Sequence, residues 1–105
     1  MLSIMRPYTR NIRLANLIQE IVSEILEFEI KDERLRRVNI VRVDLSQDLK
    51  KAEIFFDAGP RIGEAEEAFK KAKGFIRRRL AKELETRLVP ELSFHPVELW
   101  KDFTI

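Results

Sequence analysis

Between Lys70 and Lys82 the chain carries seven cations, Lys70, Lys71, Lys73, Arg77, Arg78, Arg79 and Lys82, and no carboxylate. On a helix, residues three and four apart are neighbours. Lys70, Lys73 and Arg77 then form one row, and Lys71, Gly74, Arg78 and Lys82 form the row beside it. Gly74 is therefore bare main chain among cations. A phosphate can approach such a backbone closely and be neutralised from both sides. Like charges at these spacings repel one another, and a polyanionic ligand relieves that repulsion. A solvated basic face is the ordinary reading of a lysine-arginine cluster; the absence of any acid and the embedded glycine favour a polyanion here. Arg6, Arg10 and Arg13 make a second acid-free basic segment, and Arg34, Arg36, Arg37 and Arg42 a third.

Groups for bond-making chemistry do not converge in the same way. The single His95 has no nucleophile assigned to it by spacing, and it reads as a surface or strand-end residue. The serines lie in no nucleophile elbow or related motif. Glu66–Glu67 and Glu83–Glu85 fall on a polar helix face, where solvation is the ordinary role of a carboxylate. Gly59 to Gly63 is no phosphate-cradling Walker loop, because no Gly-Lys-Ser/Thr follows. Without cysteine there is no disulfide framework, thiolate chemistry or zinc knuckle. No metal site or cofactor is expected.

Composition sets the remaining limits. At 105 residues the chain is expected to form one domain over 1–105, with 1–8 an irregular lead-in and 97–105 a C-terminal extension. Twenty Lys and Arg against 18 Asp and Glu leave a net charge of only +2. The acids gather between Glu20 and Glu33, so the molecule is read as polarised, basic on one side and acidic on another. No apolar run approaches the roughly 20 residues that span a bilayer, and the first ten residues lack the apolar stretch of a signal peptide. A cytoplasmic monomer without membrane contact is expected.

Hydrophobic spacing supplies the elements that must hold the cations. Thr9 is a candidate N-cap. Ile12, Ala15, Ile18, Val22 and Leu26 then recur at steps of three and four, with Leu14, Leu17, Ile21, Ile25 and Phe28 widening the stripe. This first helix begins with Arg10 and Arg13 and ends with Glu20, Glu24 and Glu27, an order opposed to the helix dipole. Something other than helix stability therefore accounts for those arginines. Val38 to Leu45 alternates but changes parity between Ile40 and Val43, which predicts a strand with a bulge near Val41–Arg42. Ser46-Gln47-Asp48-Leu49 makes a turn, and Ala52, Ile54 and Phe56 alternate along a second, antiparallel strand. Phe55 points to the opposite face, with a loop or the tail expected to cover it in part.

A helical pattern runs from about Gly63 to Leu88, and from Ala72 every apolar step is four residues. Such a stripe drifts by about 40° per step. That drift, together with Gly74, predicts two helices meeting at a kink over Ala72-Lys73-Gly74. The second helix would then present free N–H groups and a positive dipole end to a phosphate. Pro90 stops the pattern, and Leu92, Phe94 and Val97 form a last short strand, with Pro96 at an edge or at its end. Trp100 and Phe103 are expected to pack back on the domain. The order is α-β-β-α-α-β, an α+β domain with a three-stranded sheet and helices on one face.

That order resembles the type II KH domain, an RNA-binding fold. KH domains clamp RNA with a Gly-x-x-Gly loop between two helices, whereas Ala72-Lys73-Gly74 occupies that joint here. The replacement resembles the ribosome-binding factor A family of bacterial small-subunit assembly factors. Arg10-Asn11-Ile12-Arg13 opening the first helix is similar to that family, as are Val43-Asp44-Leu45-Ser46-Gln47-Asp48-Leu49, Gly74-Phe75-Ile76-Arg77 and Pro90-Glu91-Leu92-Ser93-Phe94. The likeness covers roughly residues 9 to 94.

The resemblance implies a non-enzymatic, RNA-binding factor of ribosome biogenesis. Its expected partners are the free 30S small subunit and its 16S rRNA, with roles in late maturation, 5′-end processing and growth in the cold. It implies RNA contacts at Arg10, Arg13, Lys70, Lys71, Lys73, Gly74, Arg77 and Arg78, to which the charge rows add Lys82. Where the family continues into an acidic-polar segment and a tail, this chain has His95-Pro96-Val97-Glu98 and stops at Ile105, so no tail function is carried over. Two further readings of the residues stand beside this one. The acidic Glu20–Glu33 stretch suits a protein–protein adaptor without direct nucleic-acid binding, and charge rows alone do not distinguish RNA from duplex DNA.

Overall fold

The computed structural model of the protein describes residues 6–84 and 89–98, with side chains from Asn11 onward. Helix α1 (Arg6–Phe28) leads through a short 3-10 turn (Glu33–Leu35) to strands β1 (Asn39–Leu45) and β2 (Lys51–Asp57). Helix α2 (Ile62–Leu84) and strand β3 (Glu91–Pro96) complete the order. The sheet order is β1-β2-β3, with β1 antiparallel and β3 parallel to the central β2.

Helix α1 includes Arg6, Pro7 and Tyr8, so residues 6–8 of the expected irregular lead-in are helical; the rest of that lead-in lies outside the described residues. Pro7 lies in the first turn, where its missing N–H removes no helical hydrogen bond. The buried stripe is also narrower than the spacing suggested. Ala15, Ile18, Val22, Ile25 and Leu26 are buried, but Ile12, Leu17 and Phe28 are 48%, 44% and 76% exposed. The sheet under α1 is only three strands wide and accepts one face of the helix.

The parity change in β1 is a bulge. Ile40 pairs with Phe56 and Arg42 with Phe55, leaving Val41 as the extra residue. Ile40 and Val43 therefore both reach the core. From α1, the Gln19 Nε2 donates to the Ile40 and Val41 carbonyls at 3.0 and 3.3 Å. Carbonyls that the bulge releases from regular pairing are satisfied in this way. Gln19 is a structural residue that hydrophobic spacing gave no reason to single out.

All core-facing strand residues point toward the helices. Ile40, Val43, Ala52, Ile54, Phe56 and Leu92 are buried. Arg42, Glu53, Phe55 and His95 occupy the open face. Helix α1 packs on β1, and α2 packs on β3, on α1 and on the 3-10 turn. Phe69 of α2 stacks on Phe94 with centroids 4.3 Å apart and meets Phe56 at 4.8 Å. Burying each such aromatic contributes about 1.5–3 kcal/mol.

The expected pair of helices is one. Helix α2 runs without a break through Ala72-Lys73-Gly74, so the order among the described residues is α-β-β-α-β. No positive φ occurs at Gly74; among the described residues only Gly59, in the turn after β2, and Leu49, in the hairpin, adopt one. Ile76 and Leu80 of the stripe remain fully buried, and α2 packs on the 3-10 turn, on β3 and on α1. The α+β class, the three-stranded sheet and the single helical face are as expected. The packing expected of Trp100 and Phe103, and the end of the helical pattern at Leu88, fall outside the described residues.

Candidate nucleic-acid interface

On the outer side of α2, Gly74, Arg77, Arg78 and Ala81 line a hollow of about 390 Å³, closed on one side by Val89. A Cβ added at Gly74 would meet only the Arg78 Nη1, at 3.5 Å. Arg78 thus lies over the bare main chain. Arg77 reaches the Val89 carbonyl at 3.5 Å, the outer limit of a hydrogen bond. Because α2 is unbroken, no helix start faces the hollow, and the dipole contribution expected at a kink is absent. Attraction for an anion rests on the guanidinium groups and on steric access to the Gly74 backbone.

The cations divide sharply by partner. Arg79, on the inner side, holds Glu29, the residue just after α1, at 2.6 and 3.1 Å and Glu83 at 3.4 Å. The hydrogen bond to Glu29 lowers the Glu29 pKa and raises that of Arg79. It places a cation just beyond the C-terminus of α1, which has no basic residue in its last turn. By contrast, Lys70, Lys71, Lys73, Arg77, Arg78 and Lys82 make no ion pair among the described residues. Lys70, Lys71, Arg77, Arg78 and Lys82 are exposed, and Lys73 is half-buried.

Arg13 is exposed on α1. It lies about 22 Å along the helix axis from Phe28, the neighbour of Glu29 and so of the Arg79 contact. Among the described residues the hollow takes no lining residue from α1. The structure therefore brings Gly74, Arg77 and Arg78 together, flanks them with the lysines of α2, and leaves Arg13 apart. Arg10 lies on α1, and its side chain is outside the described set.

Elsewhere the basic residues are partly engaged. Arg34 is held by Asp32 at 2.7 Å, which drives the Asp32 pKa down to about 2. Arg42 pairs with Asp44 at 3.3 Å and lies over the Phe55 ring, 4.0 Å from its centroid. On the other flank of Phe55 is the His95 ring, at 5.3 Å. Among the described residues these cross-strand neighbours flank Phe55, and the tail expected to cover it in part lies outside the described residues.

His95 sits near the end of β3 with its side chain 41% exposed. Its Nε2 is 2.9 Å from the Ser93 Oγ and 3.3 Å from Glu53. Both partners meet the same ring nitrogen. A general-base relay needs the carboxylate and the hydroxyl on opposite nitrogens, so this trio is a surface hydrogen-bond cluster. No group of acids and histidines suited to a metal occurs among the described residues. No helix among them is long and apolar enough to cross a membrane.

Comparison with known proteins accords with this architecture. A relative from Alcanivorax borkumensis named ribosome-binding factor A is 44% identical over 92 residues, covering 84% of this chain and 67% of its own. The crystal structure of ribosome-binding factor A from Thermus thermophilus superposes with a TM-score of 0.76 at 23% identity, over 82% of this chain and 93% of that one. Coordinates of the Thermus thermophilus factor fitted into a cryo-electron-microscopy map of its 30S complex give a TM-score of 0.70 at 24% identity, over 81% of this chain and 92% of that one. These neighbours share the KH-like α+β fold. The sequence profile described as ribosome-binding factor A matches residues 10–99, and with a sheet, helix and cation arrangement of this kind the chain belongs to the ribosome-binding factor A family.

Proposed function

We propose that the protein binds the free 30S subunit through 16S rRNA and assists its late maturation, including processing of the 5′ end, acting as a cytoplasmic monomer without catalytic chemistry. The observation that carries this reading is the hollow at Gly74, where Arg77 and Arg78 face outward with no carboxylate paired to them among the described residues. A fold that needed these cations for its own stability would have paired them, as it pairs Arg79. The Thermus thermophilus neighbour fitted into a 30S complex supports the choice of partner. RNA of the small subunit meets the protein through backbone phosphates, and each phosphate neutralised releases condensed counterions.

The test is cosedimentation with free small subunits, large subunits and whole ribosomes in parallel. Wild-type protein should travel with free small subunits alone. The double variant Arg77→Glu, Arg78→Glu should lose that binding while its circular dichroism and unfolding midpoint stay near wild type. Undiminished binding by that variant would remove the hollow from the interface.

A further inference from the structure

A second cluster of arginines lies at the other end of α2. Arg34, Arg36, Arg37 and Arg61 line a cleft of about 440 Å³ with Val38, Ala58 and two glutamates, Glu33 and Glu64. Arg34 is occupied by Asp32. Glu67 and Glu64 also raise the Arg34 pKa, after Asp32, so part of their field is directed onto that residue. Arg36, Arg37 and Arg61 make no ion pair or hydrogen bond through their side chains among the described residues, and all three are exposed.

The backbone that carries them is firmly held. Leu35 is fully buried. The Asp32 carboxylate caps the 3-10 turn by accepting from the Arg34 N–H at 3.0 Å. The Leu35, Arg36 and Val38 amides donate to the Asp32, Glu33 and Leu35 carbonyls at 3.0, 3.2 and 3.3 Å. Two adjacent cations are thereby presented from a pre-ordered turn, which lowers the ordering cost of binding an anion.

The position of this cleft relative to the first hollow follows from helix geometry. At 3.6 residues per turn, Glu64, Lys71, Gly74 and Arg78 fall within about 80° of the circumference of α2. From Glu64 to Gly74 is ten residues, about 15 Å of axis. Lys71 stands between the two, near enough to Asp32 to lower its pKa slightly. One side of α2 therefore carries two cationic stations with a lysine between them.

We propose that Arg36, Arg37 and Arg61 form a second phosphate-binding station, so that one RNA strand runs along α2 from the Gly74 hollow past Lys71 to the cleft beside the 3-10 turn. This rests on the RNA-binding reading above and extends it to the other end of α2. A separation of about 15 Å is more than one nucleotide can bridge, since successive phosphates rise about 3.4 Å per strand in a stacked helix. The footprint is then several nucleotides, within the range of about 4–16 known for single-strand sites. Phosphates at the cleft relieve the mutual repulsion of Arg36, Arg37 and Arg61, as they do for the cations around Gly74.

Two measurements on the full chain test this. Binding to purified free small subunits is followed as a function of salt for wild type, for Arg77→Glu with Arg78→Glu, and for Arg36→Gln, Arg37→Gln and Arg61→Gln combined. Each arginine removed from a single-strand phosphate should lower the slope of log affinity against log salt by about 0.7, so the combined variant should lose about 2. A wild-type slope and affinity in that variant, with binding lost on reversal of Arg77 and Arg78, overturns the second station and leaves the first intact. Absence of binding by wild type overturns both.

The second measurement needs no variant. A single-stranded RNA of about ten nucleotides is titrated into wild-type protein while backbone amide shifts are recorded. Shifts at Arg36, Arg37 and Arg61 together with Gly74 and Arg78 are expected. Shifts confined to Gly74–Arg78 overturn the proposal.

Discussion

Gly74 is a glycine that the fold does not require. A helix-interior glycine forfeits about 1 kcal/mol relative to alanine, yet Gly74 keeps ordinary helical φ and has room for a Cβ. Replacement by alanine should therefore stabilise the protein by about 0.5–1 kcal/mol in denaturant unfolding. The same Gly74→Ala change should weaken small-subunit binding, because the added methyl stands between an approaching phosphate and the main chain. Unchanged affinity would mean that the ligand is held by the guanidinium groups alone. Arg79 supplies the converse case. Its guanidinium is bound to Glu29, so Arg79→Gln should lower the unfolding midpoint slightly and leave subunit binding intact. Counting cations along the chain could not separate Arg79 from Arg78, since the carboxylate that distinguishes them lies 50 residues away.

Among the elements, α2 shows why a periodic pattern can be read correctly and assembled wrongly. The apolar steps of four residues from Ala72 to Leu84 are real, and Ile76 and Leu80 are fully buried. The inference of a break failed because one continuous helix packs on three partners, the 3-10 turn, β3 and α1, which local spacing does not contain. The bulge in β1 was legible because the parity of buried residues changes within the strand itself. Leu35 anchors the turn that presents Arg36 and Arg37, and Leu35→Ala should cost about 2–5 kcal/mol, read by chemical denaturation.

Two carboxylates between α1 and β1 have lowered pKa values. Hydrogen bonding to Arg34 holds Asp32 down to about 2, and Arg79 holds Glu29 below its usual range. Unfolding returns both to ordinary values near 4, so the unfolded state binds more protons below that pH. The stability they contribute is present above about pH 4–5 and is lost as pH falls toward 2. The double variant Asp32→Asn, Glu29→Gln should show a shallower decline of unfolding free energy across that window than wild type. Equal slopes would assign acid sensitivity to other carboxylates.

For the whole molecule, net charge understates electrostatic reach. At +2 overall the chain still leaves Arg77, Arg78 and the α2 lysines without ion pairs among the described residues, while acids gather between Glu20 and Glu33. If about five phosphates are neutralised, a fourfold rise in salt should weaken small-subunit binding about 100-fold. A flat dependence would point to apolar or protein-mediated attachment.

Helical and strand periods, the bulge, the hairpin turn and the cation rows were all legible along the chain, because each depends on residues only a few positions apart. Sheet order, with β3 parallel beside β2, was not. Nor were the continuity of α2, the isolation of Arg13, or the division of arginines into those spent on Asp32, Asp44 and Glu29 and those left for a ligand. Most of these turn on which distant segments meet across the core. For Arg79 it is the packing of α1 against α2 that brings Glu29 into reach, and an ion pair forms only where such packing brings opposite charges within a few ångströms.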